Sequence, residues 1–144
     1  MSFIDSINAI ETRLKNFQPL KDFLQATFNK TLLVKKTVRD RTTVGQDEFP
    51  LVMITRPRIE RVRAGNSVNL DNSVFLYAGI SQPDRNIALE QMIRYEELIE
   101  DAVLTRTDIP GDLGMVIVPG DSLNDEGLFH PHYFMVKHFT VKDR

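Results

Sequence analysis

The chain has 144 residues, of which 42% are hydrophobic and 26% charged, and this composition predicts one water-soluble domain with a sizeable core. It contains no cysteine, which excludes disulfides, thiolate nucleophiles and cysteine-ligated metals and fits a reducing compartment. The net charge of −2 disfavours nucleic-acid binding as the principal function, because such binding usually needs a clear basic footprint.

The first thirty residues predict two helices. Apolar side chains recur at alternating steps of four and three, which is typical of an amphipathic helix with one apolar stripe: Phe3, Ile7, Ile10, Leu14 and Phe17. Pro19 ends this helix or opens a second, short one. The second helix would pack through Phe23, Leu24 and Phe28, and Asn29 breaks its pattern.

Strands are predicted next. Residues 32–34 begin a first strand, which becomes polar toward Lys35, Lys36, Arg39 and Arg41. Residues 49–63 predict one long strand with two unlike halves. Its first half is apolar on both faces at residues 51–54, as in the middle of a covered sheet. Its second half contains Pro57 and has no clean apolar face, so it should lie at an edge or beyond the body.

This long strand is predicted to fold back on the following one as a hairpin. Gly65 and Asn66 favour a tight turn. The return strand is polar at residues 68–72 and apolar on both faces at residues 74–78. We therefore expect a hairpin with a buried root and an arginine-rich tip, whose residues from about 55 to about 73 project as an arm.

A long acidic helix follows the hairpin. Ser81 is predicted to cap it, Pro83 suits its first turn, and Asp84 favours the positive end of the helix dipole. The helix should end near Leu104. Its buried stripe is predicted to contain Ala88, Met92, Tyr95, Ile99 and Ala102, widened by Leu89 and Val103. Its acidic positions are Glu90, Glu96, Glu97, Glu100 and Asp101.

Two more strands complete the predicted fold. Residues 115–118 form a short buried strand that Pro119 and Gly120 end. Residues 133–141 form the last strand, in which Lys137 interrupts an otherwise apolar face. The order of elements predicts a single α+β domain over residues 1–144. Its mostly antiparallel sheet carries a long β-hairpin arm and is packed by an N-terminal helix and one long acidic helix.

Three histidines raise the question of a metal site. His130, His132 and His138 have matching parity, so extended backbone would direct them to one face, and imidazole is a common metal ligand. Pro131 disturbs the regular pleat, however, and no carboxylate with ligand spacing accompanies the set. Ordinary strand-end histidines are the favoured interpretation.

Other chemical motifs are absent from the sequence. Asp108, Asp112, Asp121 and Asp125 lack the spacing of an EF-hand, so solvated loop carboxylates are favoured over calcium ligands. Nucleophile-elbow and phosphate-loop patterns do not occur. The longest apolar run is far too short to cross a bilayer, and the first residues do not resemble a secretory signal. We expect no catalytic, cofactor-binding or metal site and no membrane contact.

Charge is distributed unevenly along the chain. Residues 30–65 contain nine Lys or Arg and four Asp or Glu, a local charge of +5, whereas residues 84–126 contain three and eleven, a local charge of −8. Opposed patches suit head-to-tail contact between copies, which closes into a ring when the rotation allows. Solvated faces of either sign are also common, and a solvated hairpin remains the alternative. The hypothetical interface residues are Arg39, Arg41, Arg56, Arg58, Arg61, Arg63, Glu96, Glu97, Glu100 and Asp101.

The order of elements resembles the tail terminator (tail completion) proteins of tailed bacteriophages and prophages. The resemblance rests on the N-terminal helix, on residues 48–54 (EFPLVMI) leading into the hairpin, and on residues 74–80 (VFLYAGI). These last residues run directly into the acidic helix, and the final strand, residues 133–139 (YFMVKHF), follows. The likeness covers nearly the whole chain as an arrangement, although none of its motifs is specific.

The resemblance implies a structural virion protein and not an enzyme. Such proteins form a hexameric ring on the last ring of the tail tube, stop its polymerisation and present a surface for the head-side connector. It implies no cofactor, assembly in the bacterial host cytoplasm and a final place in the virion tail. The tail tube protein and the connector are the expected partners. No sequence-specific nucleic acid is expected, although genome DNA can pass through the ring.

Two alternatives remain open at this point. One is a head completion or neck connector protein, which shares the small size and the habit of forming rings. The other belongs to a different class, namely a small enzyme or ligand-binding domain whose site is built from scattered polar residues. The sequence does not separate the first alternative from a tail terminator.

Overall fold

The computed structural model describes residues 3–36, 43–55, 59–64, 67–112, 114–125 and 127–142. Side chains are described for these residues except residue 3 and those of 59–64 and 67–71. Within these ranges the chain forms three α-helices and a six-stranded sheet, in the order α1 (Phe3–Asn16), α2 (Gln18–Phe28), β1 (Leu33–Lys35), β2 (Leu51–Thr55), β3 (Ile59–Ala64), β4 (Ser67–Ser81), α3 (Arg85–Leu104), β5 (Val116–Asn124) and β6 (His132–Lys142). The predicted α+β class is confirmed.

The sheet is mostly antiparallel, as expected. Its strands follow the order β1-β2-β4-β6-β5, and β3 pairs with β4 alongside β2. Only the β1–β2 pair is parallel among the described strands. β4 is the longest described strand. It lies at the centre of the sheet and pairs with β6 from Asp71 through Ser81.

All three helices pack on one face of this sheet. Alternate residues of each strand point to opposite faces, and the even-numbered residues of β2 and β4, from Val52 to Ile80, join the helices in one buried cluster. The predicted stripe of α1 is confirmed at Ile7, Ile10 and Leu14. On the opposite face, a smaller cluster surrounds Phe134 and is covered by the chain from Val44 to Phe49. The predicted two-sided burial of residues 51–54 is confirmed.

The second helix begins as Pro19 allows, with that proline in its first turn. Leu20 and Leu24 are buried, and Phe23 and Phe28 are half-buried. The helix ends at Asn29, whose φ of 55° is left-handed and whose backbone N–H donates to the Gln25 carbonyl. Asparagine tolerates this conformation better than most residues, which explains the break in pattern.

The acidic helix α3 confirms the main prediction and corrects two details. The stripe Ala88, Met92, Tyr95, Ile99 and Ala102 is buried, together with Leu98 and Val103. Leu89, however, is 63% exposed, so its assignment to the buried stripe was wrong. The predicted Ser81 cap was also wrong, because β4 extends through Ser81, and Asp84 caps the helix by accepting a 2.9 Å hydrogen bond from the Asn86 backbone.

The hairpin is described in its two strands. β3 and β4 pair antiparallel from Ile59↔Asn72 to Ala64↔Ser67. The predicted long strand over residues 49–63 appears as β2 and β3, and residues 56–58 and the predicted turn at 65–66 lie outside the described residues. Asn72 and Ser73, at the end of the predicted arm, are buried, and the Asn72 side-chain amide lies 3.3 Å from Ser6 Oγ on α1.

The fifth strand is longer than predicted. Pro119 and Gly120 do not end it, because β5 continues to Asn124 with a register shift against β6 between Pro119 and Ser122. The irregularity accommodates a proline that cannot donate to the ladder. Gly120 lies against His138, and a Cβ there would come within 2.7 Å of the imidazole Nδ1. The predicted strand-ending turn at Pro119 and Gly120 was therefore wrong, because the irregularity lies within the strand.

Candidate interaction surfaces

The predicted basic residues are only partly described. Arg39, Arg41, Arg56 and Arg58 lie outside the described residues. Arg61 and Arg63 lie on β3, where the register pairs them with Leu70 and Val68, and their side chains are not described. The basic half of the interface therefore stays a prediction. Of its six arginines, the structure places only the backbone of Arg61 and Arg63, in strand β3 of the hairpin.

The acidic half of the hypothetical interface divides into two pairs on α3. Lys137 on β6 approaches Glu100 at 2.9 Å and Glu96 at 3.9 Å, and its side chain is only 8% exposed. Glu96 also accepts a hydrogen bond from Ser122 Oγ. These contacts explain the lysine that interrupts the apolar face of β6. They also give two of the predicted interface carboxylates, Glu96 and Glu100, a positively charged partner within the same molecule.

The other pair, Glu97 and Asp101, is exposed. Glu97 has a single 3.4 Å contact with Arg94 on the same helix, and both side chains are more than half exposed. Such pairs contribute little to stability in water. Together with the exposed Glu90, these carboxylates give α3 an acidic surface that a partner could reach.

An apolar groove that was not predicted from the sequence lies beside this acidic surface. Ile87, Leu89 and Ile93 on α3 are 41%, 63% and 47% exposed, and with Phe23 of α2 they line a groove of about 690 Å³. Glu90, Arg94 and Glu97 line it as well. The sequence did contain a sign of this groove, because Ile87 and Ile93 fall outside the predicted buried stripe of α3. Apolar residues outside the buried stripe of an amphipathic helix indicate a second apolar surface on that helix.

The three histidines do not converge. His130 Nδ1 lies 2.9 Å from Tyr133 Oη, His132 stacks on Phe49 at a centroid distance of 4.4 Å, and His138 lies 3.2 Å from Ser73 Oγ. Burial against Phe49 lowers the pKa of His132 from its ordinary 6.5. In the part of the chain that the structure describes, no group of His, Asp and Glu is placed to hold a metal ion.

A buried ion pair joins α1 to the loop after α3. The Arg13 guanidinium binds both carboxylate oxygens of Asp112, at 2.9 and 3.0 Å, and donates to the Val103 and Met115 carbonyls. Both side chains are almost fully buried, so the expectation of a solvated carboxylate was wrong for Asp112. Burial raises the pKa of Asp112, but hydrogen bonds from Arg13, Gly114 and Thr107 outweigh it and lower that pKa from 3.8 to about 2.

The sequence matches no protein-family model and no curated protein. None of the described helices is long and apolar enough to cross a membrane. The geometry of the described surface therefore carries the functional argument, alongside the resemblance in the order of elements.

Proposed function

We propose that this chain is a structural protein that self-associates head to tail into a ring. Following its resemblance to phage tail terminators, it caps a tail tube and presents a surface for the head-side connector. The hexamer, the tube and the connector come from that resemblance. The α+β architecture is compatible with this role.

The observation that carries the proposal is the separation of charge in the fold. Glu90, Glu97 and Asp101 are exposed on α3, while Arg61 and Arg63 belong to β3, and Arg56 and Arg58 precede that strand in the sequence. Opposed charges at separate places on one molecule favour contact between unlike surfaces of successive copies. Contacts of this kind generate rings or filaments rather than two-fold dimers.

Self-association is the first prediction. Light scattering at rising protein concentration should show growth to a closed oligomer of defined mass, and the resemblance implies six copies. Raising the salt concentration should weaken this association, because exposed charges are screened over about 8–10 Å at physiological ionic strength.

Capping is tested separately. Added to polymerising tail tubes of the same phage system, the protein should fix their length. A chain that stays monomeric at high concentration, and leaves tube length unchanged, would contradict the proposal.

A further inference from the structure

The groove between α2 and α3 has the character of a docking site. Its described lining combines exposed aliphatic side chains of α3 with Phe23 of α2. Of the eight large hydrophobic side chains that are exposed among the described residues, four belong to α3, and three of these line the groove or its floor. Contiguous exposed apolar surface on one helix typically marks an interaction site.

Its rim selects for positive charge. Glu90 and Glu97 line the groove, and Asp101 lies one turn beyond Glu97 on the same helix. Arg94 is the one cation among the described lining residues, and Glu97 already contacts it. An occupant with apolar side chains and several arginines would therefore fit both the floor and the rim.

The hairpin of this chain has that chemistry on one face. Directly opposed residues of an antiparallel pair share a face of the sheet, and the register opposes Arg61 to Leu70 and Arg63 to Val68. By register, positions 59, 61, 63, 68, 70 and 72 belong to one face, and the sequence there is Ile, Arg, Arg, Val, Leu and Asn. The positions of the other face are Glu60, Val62, Ala64, Ser67, Asn69 and Asp71.

The hairpin lies far from the Leu89 part of the groove in the same molecule. Leu89 lies with Tyr133 around a small pocket, and Tyr133 pairs with Ile80, so this part of the groove is near the end of β4 from which α3 departs. Leu70 lies ten residues earlier on the same strand, about 33 Å away in extended backbone. Among the described strands, β4 residues before Asp71 pair with β3 alone, so the hairpin extends past β6.

We propose that the apolar and basic face of the hairpin of one copy docks into the α2–α3 groove of the next copy. The hairpin face and the Leu89 part of the groove lie at opposite ends of β4, so each docked copy leaves a free groove and a free hairpin. This is the head-to-tail geometry from which a ring closes. The inference names the contact surface of the proposed ring and rests on the self-association proposed above.

Site-specific cross-linking tests this contact directly, because the chain has no cysteine of its own. Leu89→Cys places one thiol at the groove, and Val68→Cys places one on the docking face of the hairpin. The two variants, mixed and treated with a short bis-maleimide, should give a hetero-cross-linked dimer. Leu123→Cys, at a residue that is 74% exposed on β5, is the matched control in place of Leu89→Cys and should give little product.

Charge reversal gives a second measurement that does not depend on cross-linking. Glu97→Arg and Arg61→Glu should each weaken self-association by about tenfold, and the combination of the two in one chain should restore it. Glu97 is exposed, so its replacement should leave the monomer folded.

The outcomes separate this inference from the proposed function. The docking site would be overturned if the protein still forms oligomers but Leu123→Cys cross-links equally well and the charge swap gives no rescue. The ring would then form through another surface. A strictly monomeric protein would overturn both. Specific cross-linking without any effect on tail tubes would support the docking site and contradict the capping role.

Discussion

At the scale of single residues, Arg13 is the least expected feature of the core. It is a charged residue of an amphipathic helix, yet it is only 1% exposed. The guanidinium uses its donors on Asp112, on the Met115 carbonyl and on the Val103 carbonyl in the last turn of α3. A cation is favourable at that end of a helix. One side chain thereby ties α1, the end of α3 and the start of β5 together.

Replacing Asp112 should therefore be costly. Asp112→Asn leaves the buried Arg13 charge without its counter-ion, and breaking a buried pair in this way costs about 3–5 kcal/mol. The matched control is Asp108→Asn in the same loop, at an exposed residue, which should change the free energy of unfolding by less than about 0.5 kcal/mol. Chemical denaturation at neutral pH measures both. Equal effects of the two variants would show that the ion pair does not stabilise the fold.

The same carboxyl predicts a pH dependence. Its pKa is lowered on folding, from 3.8 to about 2, so its contribution is fully present above the higher value and is lost as pH falls toward the lower one. The stability difference between wild type and Asp112→Asn should accordingly shrink over this interval. A difference that stays constant down to pH 2 would assign the stabilisation to something other than the ionised carboxylate.

At the scale of elements, α3 shows how one helix can carry two apolar faces with different roles. Ile99 is fully buried against the sheet, whereas Ile93, less than two turns earlier, is 47% exposed at the groove. Between these two apolar faces lie Glu96 and Glu100, which form ion pairs with Lys137 of β6. The helix is therefore anchored on one side and available to a partner on the other.

The two isoleucines give a matched comparison. Ile99→Ala should destabilise the fold by about 2–5 kcal/mol, because it removes buried methyl groups and leaves a cavity. Ile93→Ala makes the same chemical change in the same helix, so helix propensity is equal, and it should cost less than about 1 kcal/mol in the monomer. Thermal melting of both variants decides the assignment. Similar melting temperatures would contradict the assignment of Ile99 to the buried face and Ile93 to the exposed one.

The helices and most of the strands could be predicted from the sequence because periodicity reports which face of an element is buried. The stripes of α1 and α3 and the two-sided burial of β2 follow from it. Features set by contacts distant in sequence could not be predicted in this way. Arg13 and Asp112 are 99 residues apart, and the extension of β5 past Pro119 depends on pairing with β6. The groove could not be predicted for the same reason, because Phe23 and Ile93 come to line one groove only when α2 packs beside α3.

At the scale of the whole molecule, β4 connects the hairpin to the acidic helix α3. The helix begins beside one end of β4 and runs along the sheet toward the other end, where the hairpin extends beyond β6. In the proposed ring the basic residues would contact a neighbouring copy, whereas an exposed ion pair within a monomer is worth only about 0–1 kcal/mol.

Removing the basic cluster tests this reading of the whole molecule. Changing Arg56, Arg58, Arg61 and Arg63 to Ser should leave the monomer folded, because they lie where the predicted strand loses its apolar face. Self-association and the capping of tail tubes should both be lost. Circular dichroism verifies the fold, and light scattering and tube length report the two functions.

The control must separate this cluster from net charge. Four cations elsewhere, Lys15, Lys21, Lys30 and Arg106, are exposed, and their change to Ser lowers the net charge by the same amount. This control should still associate and cap, because its hairpin is intact and screened charge at distant sites contributes little to a docked contact. If both variants lose association equally, the loss reflects overall charge. If the arginine variant still assembles and still fixes tube length, the hairpin is not the interface.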